Sequence, residues 1–274
     1  MSKSKKILYN MVLIALFSAL SFVGTYIAIP IGTSKVHLGN FVCILAGLLC
    51  GGLIGGLSGS IGMGLNDLLS GYGVDTCIRT LIVKFILGLF AGLLFRYLIK
   101  KEKNINYLFF IISGIFLILF ITFLTLYLTK GEVIDLGKKK LSISILLISL
   151  LGVMFAFFLI IQIFIFKINK IQKYVLASVA LASLLNVVLE FLLKIPFKVL
   201  MANMTWEQSF IYALSSLPGA LITSIVTSII VTCIYLPLYE GTKRFNKLNN
   251  LNDIVLDITT YKKESSPNNE EDYN

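Results

Sequence analysis

The chain is poor in charge and poorer still in the side chains that most enzyme chemistry uses. Of its 274 residues, 14% are charged, against about a quarter in an ordinary soluble domain. There is one histidine, His37, so a His-based metal site is not expected. The four cysteines (Cys43, Cys50, Cys77 and Cys233) form no C-x-x-C pair and sit mostly within apolar runs, where they read as small hydrophobes. No G-x-x-x-x-G-K-[ST] occurs, so no P-loop nucleotide site is expected on this chain; G-x-S-x-G and H-E-x-x-H are also missing. A hydrolytic site needs an activated nucleophile beside a base, and His37 with some serine is too generic to supply one. Neither a catalytic constellation nor a cofactor motif is expected.

What is abundant is apolar sequence. Hydrophobic residues make up 57% of the chain, and the mean hydropathy is +0.89. They come in long runs, and about 20 such residues span a bilayer as a helix. The runs lack the alternation over about ten residues that marks membrane β-strands. The expected fold class is an all-α integral membrane protein. The net charge of +10 does not point to nucleic acid, because the basic residues cluster at the ends of apolar runs, where membrane orientation accounts for them.

Eight spans are expected. The first, Ile7–Ile31, follows Lys3, Lys5 and Lys6 and outruns the apolar core of a cleaved signal peptide. Two short Gly-rich spans follow, Leu38–Cys50 and Leu53–Ser70, joined at Gly51-Gly52. Then come Cys77–Ile99, the greasy pair Ile105–Leu128 and Leu141–Phe166, Tyr174–Leu193 and Phe210–Leu238. With alternating spans, the N-terminus, Arg96 to Lys103, Lys167 to Lys173 and Lys243 to Lys247 share one side, expected to be cytoplasmic. The loop Lys130–Lys140 breaks that rule. Residues 246–274 are polar and read as a disordered cytoplasmic tail. The expected domain is therefore one membrane unit over residues 1–245, with a core of 7–103 and 171–245 and an inserted hairpin of 104–170.

The costly groups gather at one depth. Lys84 lies about seven residues, roughly 10 Å, into its span. Asn66 and Asp67 end the third span, and Arg79 opens the fourth. Ser178, Ala182, Asn186 and Glu190 recur every four residues and share a helical face. Ser215, Ser216, Pro218 and Gly219 stand in the same half of the last span. An ionisable group inside a membrane is expensive unless it is paired or faces a polar cavity. Lys84 has three readings: a structural pair with Asp67 or Glu190, snorkelling to the interface, or a ligand-facing donor. The last is favoured because several polar groups share its depth; it would suit a carboxylate or ring carbonyl, as in pantothenate, folate or a flavin. Trp206 reads as an interfacial anchor. The small residues Gly55, Gly59, Gly62, Gly88 and Gly92, and Ala15 with Ala19, suit either close helix packing or a face that docks a partner.

The order of these features resembles the substrate-binding S components of energy-coupling factor (ECF) transporters. The residues that carry the resemblance are A-x-x-x-A in the first helix, "IPIGTSKVHLGNF", "LAGLLCGGLIGGLSGSIGMGLNDLLSGYG", "RTLIVKFILGLFAGLL" and "ALSSLPGALITSIVTSIIVTCIYLPLY". They cover about Ile7–Lys100 and Gln172–Lys243. The resemblance implies a six-helix S-component-like core, here with two additional transmembrane helices, and both termini in the cytoplasm of a bacterial cell. It implies a vitamin-sized pocket near the outer face, formed by helices four to six of the core and capped by the loop after helix one. Lys84, Asn186, Glu190, Ser215 and Ser216 would line it, with Asp67 and Asn66 nearby and His37 and Asn40 in the cap. Ala15 and Ala19 would contact the transmembrane coupling subunit, and two separate ATPase subunits would supply energy. The alternatives are a self-sufficient secondary transporter, for which no inverted repeat is visible, and a membrane enzyme or sensor.

Overall fold

The computed structural model describes residues 3–31, 34–131, 133–135, 140–142 and 145–248. Nine helices and two short β-hairpins lie among them. In order they are α1 (Lys3–Tyr26), β1 (Ala28–Ile31), β2 (Ser34–His37), α2 (Gly39–Cys50), α3 (Gly52–Leu69), α4 (Val74–Lys101), α5 (Leu108–Lys130), β3 (Val133–Asp135), β4 (Lys140–Ser142), α6 (Ile145–Phe164), α7 (Lys170–Met201), α8 (Trp206–Ser215) and α9 (Leu217–Leu248). Five helical stretches are long and apolar enough to cross a membrane: Ser4–Tyr26, Val74–Lys101, Leu108–Thr129, Lys170–Met201 and Trp206–Gly241. This is a multi-pass membrane protein with a six-helix core (α1–α4, α7, α9) and two additional helices (α5, α6). Lys138, Lys139 and residues 249–274 lie outside the described residues, so part of the basic loop and most of the polar tail do too.

The Gly-rich hairpin folds as its sequence suggests. A single residue, Gly51, separates α2 from α3. Its φ of 107° and ψ of 152° fall where only glycine is comfortable. A 12-residue α2 is about 18 Å long at 1.5 Å per residue, well short of a 30 Å hydrocarbon core. Such a short helix is stable only when it is packed on several sides, and α2 is: Cys43, Ile44, Ala46 and Leu48 are fully buried among α1, α3, α4 and α9.

Glycine makes that packing close. A Cβ on Gly88 would lie 2.4 Å from the Gly55 carbonyl carbon; one on Gly92 would lie 2.5 Å from the Gly47 oxygen; one on Gly62 would lie 2.3 Å from the Ser18 oxygen of α1. The small residues of α3 and α4 therefore serve internal helix contacts, the first of the two readings. Ala15 and Ala19 differ: both are exposed on α1, amid the exposed apolar side chains Met11, Val12, Leu16 and Leu20.

Two boundaries depart from expectation. The last apolar run is two helices, broken at Ser216, with Pro218 in the first turn of α9. Proline there forfeits no intrahelical bond. Helix α7 extends two turns beyond Leu193 and carries Pro196 within it. Besides these, the expected first span Ile7–Ile31 ends early: α1 stops at Tyr26, and Ala28–Ile31 form β1 of the antiparallel pair β1–β2, with Ala28 opposite His37 and Ile31 opposite Ser34. This hairpin lies on α9, where a Cβ on Gly219 would come within 2.9 Å of the Ser34 Cβ.

The helices α5 and α6 pack on each other and reach the core through α6 on α9. Phe109, Phe116 and Phe158 stack between them. Gln162 of α6 accepts from the Phe110 amide at 2.9 Å and donates to the Asn106 carbonyl, which closes the start of α5.

Replacing Gly88 with Ala should lower stability by about 1–3 kcal/mol, the usual cost of overpacking. Gly114→Ala in α5, where nothing lies within 4 Å of a new Cβ, should be neutral or stabilising. Thermal unfolding in detergent compares the two; equal midpoints would refute the tight α3–α4 contact.

Candidate functional site

One end of the bundle is polar. There the β1–β2 hairpin, the α3–α4 turn and the α7–α8 turn meet over a cavity of about 320 Å³, within the range of small-molecule sites. Its wall comes from α4 (Thr76, Arg79, Thr80, Lys84), α7 (Asn186, Glu190, Lys194, Lys198), α8–α9 (Tyr212, Ser216, Ala220, Thr223) and the hairpin (Pro30, Ser34, Lys35, His37). Asn40 and Met63 floor it from α2 and α3. No residue of α5 or α6 contributes.

Helical spacing explains these walls. Thr76, Thr80 and Lys84 are each four apart on α4. On α7 the stripe Ser178–Ala182–Asn186–Glu190 continues through Lys194 to Lys198. Residues four apart share a face, so each helix presents one polar stripe, and the two stripes oppose each other across the α4–α7 contact.

A buried charge cluster joins them. Lys84 is 3% exposed. Its Nζ donates to Asn186 Oδ1 at 2.8 Å and to Glu190 Oε1 at 2.7 Å. Arg79 donates to the other carboxylate oxygen of Glu190. One carboxylate thus holds two cations from α4. Asp67 is engaged elsewhere: its Oδ1 accepts from Lys35 Nζ at 3.0 Å and its Oδ2 from Thr80 Oγ1 at 2.6 Å. Lys35 also donates to Asn66 Oδ1 at 3.3 Å and sits 4.4 Å from the Tyr72 ring centroid. This ties the hairpin to the end of α3. At the rim, Lys198 pairs with Asp75 at 2.7 Å.

Most of the residues expected from sequence meet here. Lys84, Asn186, Glu190, Asp67, His37, Asn40 and Ser216 all border the cavity. Asn40 belongs to the first turn of α2 and not to the preceding loop. Its Oδ1 is buried and has no hydrogen-bond partner among the described residues. Asn66 stands behind the wall and reaches the site only through Lys35. Ser215 is outside the cavity and exposed, its Oγ donating to the Tyr212 carbonyl at 2.9 Å. Sequence reading missed Lys35, Lys194, Lys198, Tyr72 and Tyr212. For the two α7 lysines the signal was present, since the four-residue stripe runs on to them.

His37 has a local role besides. Its Nδ1 accepts from the Gly39 amide at 3.1 Å, covering one of the open N–H groups at the start of α2. Burial, then the nearby Lys84 and Lys35 charges, lower its pKa to about 3. Among the described residues, no group of three or more His, Cys, Asp or Glu side chains is placed to hold a metal.

A family described as "ECF-type riboflavin transporter, S component" matches residues 5–140. That stretch holds α1–α5, and hence the hairpin, Asp67, Arg79 and Lys84; the α7–α9 wall lies beyond it. No curated protein and no solved structure matches the chain.

The folded pKa of His37 lies below its unfolded value of about 6.5. Its contribution to stability is therefore complete above about pH 6.5 and is lost as pH falls towards 3. His37→Gln should flatten the acid limb of thermal stability between pH 6.5 and 4, by up to about 1.4 kcal/mol per pH unit. Parallel acid limbs for the two proteins would contradict an imidazole held neutral in the folded protein.

Proposed function

We propose, for a chain that belongs to the S components of ECF-type transporters, that the cavity captures a water-soluble vitamin of the flavin type for import. Membership makes the chain a substrate-binding membrane transport subunit with no catalytic role of its own. The observation that carries the ligand reading is the meeting of Lys84, Asn186 and Glu190 with Asn40 Oδ1, unpartnered among the described residues, in one buried cavity. A heteroaromatic ring edge with alternating carbonyls and N–H groups satisfies such a set. Lys84 and the Asn186 amide donate to the carbonyls, and Asn40 Oδ1 accepts from the N–H. Burying that edge against unmatched groups would cost about 1–3 kcal/mol for each one left open, so the same set discriminates between ligands. Tyr72, Met63, Pro30 and Ala220 offer apolar area to the ring faces.

The polar end of the bundle faces outwards in this reading, because the opposite end carries Arg96, Lys100, Lys101, Lys170 and Lys173. The β1–β2 hairpin then acts as the outer cover, held by Lys35 to Asp67. Both termini face the cytoplasm. Transport is energised by a transmembrane coupling subunit and two ATPase subunits on other chains. The exposed Ala15 and Ala19 on α1 form the flat strip on which the coupling subunit packs.

Purified protein should bind riboflavin stoichiometrically, measured by quenching of flavin fluorescence. Lys84→Met should weaken that binding by about 1.5–3 kcal/mol, the worth of a charge-assisted hydrogen bond. Glu190 keeps Arg79 as partner in this variant, so folding is retained. No riboflavin binding at all would remove the flavin assignment; unchanged affinity in the variant would make Lys84 a packing residue. Ala15→Trp should leave binding intact while abolishing uptake and co-purification of the coupling subunit. Normal uptake by Ala15→Trp would refute docking on α1.

A further inference from the structure

The charges around the cavity do not balance. Five cations border it: Lys35, Arg79, Lys84, Lys194 and Lys198. Against them stand Asp67, Glu190 and, behind Lys198, Asp75, an excess of two positive charges. The imbalance divides between two places, the Arg79–Lys84–Glu190 trio and Lys194. Lys35 has Asp67, Lys198 has Asp75, and Arg79 and Lys84 share Glu190. Lys194 has no carboxylate within 4.0 Å among the described residues. Its Nζ stands 5.6 Å from the centroid of the Tyr212 ring.

Lys194 is nevertheless 95% buried, with 5% of its surface accessible. A buried ammonium without a counter-ion is unfavourable unless something else supplies the charge. Glu190, one turn away, is already held by two cations. The side chain borders the cavity, so the missing partner is a group that enters the cavity.

Building on the reading of the cavity as a vitamin site, we propose that Lys194 forms an anion subsite for a carboxylate or phosphate monoester carried by the ligand. Lys198 and Tyr212 flank it: the Lys198 Nζ lies 5.3 Å from the same ring centroid, and its charge adds to the local field. The stripe geometry sets the ligand's length. Lys194 is eight residues from Asn186, or about 12 Å along the helix at 1.5 Å per residue. A ligand whose polar ring edge reaches Lys84 and Asn186 would thus carry its anion at the far end of a chain. Glu190 answers Arg79 and Lys84 with one charge, so one unit of the excess stays with that pair, each of which still touches a carboxylate, and the other lies at Lys194, which touches none among the described residues.

The test uses matched pairs that differ in the anion: riboflavin with flavin mononucleotide, and panthenol with pantothenate. Each is titrated at fixed ionic strength into the wild-type protein, Lys194→Met and the charge-keeping Lys194→Arg. In at least one pair the anionic member should bind the wild type tenfold or more tightly than its neutral partner. Lys194→Met should erase that preference while leaving the neutral member within about twofold, and Lys194→Arg should retain most of it. If Lys194→Met does not fold, Lys194→Gln takes its place. Equal affinity within every pair that binds, survival of the preference without the lysine, or no binding of any of the four would overturn the subsite. The two readings separate: riboflavin bound as tightly as its phosphate keeps the flavin site and removes the subsite. Pantothenate bound in a Lys194-dependent way, with both flavins excluded, keeps the subsite and removes the flavin site.

Discussion

Glu190 is the residue on which the polar end of this bundle depends. Its two oxygens are taken by Arg79 and Lys84, both from α4, while Glu190 itself is on α7. Charges in a low-dielectric interior are stable only when geometry and hydrogen bonding are nearly complete, so the pairing fixes the register of α4 against α7. Removing Glu190 would leave two buried cations unmatched, a far larger penalty than losing a surface ion pair. The same three charges require a polar space beside them, and that space is the cavity. An architecture of apolar helices thereby acquires a hydrated pocket at one end without any long polar loop.

The rest of the core compensates by being dry and close. Between α2, α3 and α4, glycine backbones touch where side chains would otherwise stand. In a membrane, helix association draws on close van der Waals packing more than on the hydrophobic effect. The two halves of α4 divide these tasks. Thr76 to Lys84 carry the polar stripe, and Gly88 and Gly92 carry the contact with α2 and α3. The glycine seam lies immediately below the charged pocket and closes its lower side with backbone.

Much of this was legible in the sequence, for reasons that differ from residue to residue. Lys84 was conspicuous because a charge inside an apolar run has few explanations. Asn186 and Glu190 showed themselves by their four-residue spacing. Lys194 and Lys198 continue that spacing, yet they follow the apolar run, where a lysine reads as an interfacial anchor, and Pro196 reads as the end of a helix. The helix continues through the proline, and the two lysines turn inwards. Lys35 was hidden for another reason: its pairing with Asp67 joins residues 32 apart through a β-hairpin, and no periodicity reports such a contact. Ser215 and Ser216 were indistinguishable in sequence. The break between α8 and α9 turns Ser216 inwards and Ser215 out, and a break inside one apolar run shows only in the placement of Pro218.

The pair α5–α6 lies to one side of the bundle and leaves α1 uncovered. The insertion leaves α4 and returns to α7, helices on the cavity side, and its contact with the core is made by α6 on α9. Helix α1 packs on α2 and α3 instead, and its outward face stays uncovered, with Met11, Val12, Leu16 and Leu20 exposed around Ala15 and Ala19. A face of that composition suits lipid as well as protein. The pair of alanines four residues apart, Ala15 and Ala19, makes the surface locally low. The extra helices therefore widen the bundle on one side and leave the other as a six-helix protein would present it. The stripe ending in Lys194 and Lys198 reaches the same end of the bundle as the β1–β2 hairpin.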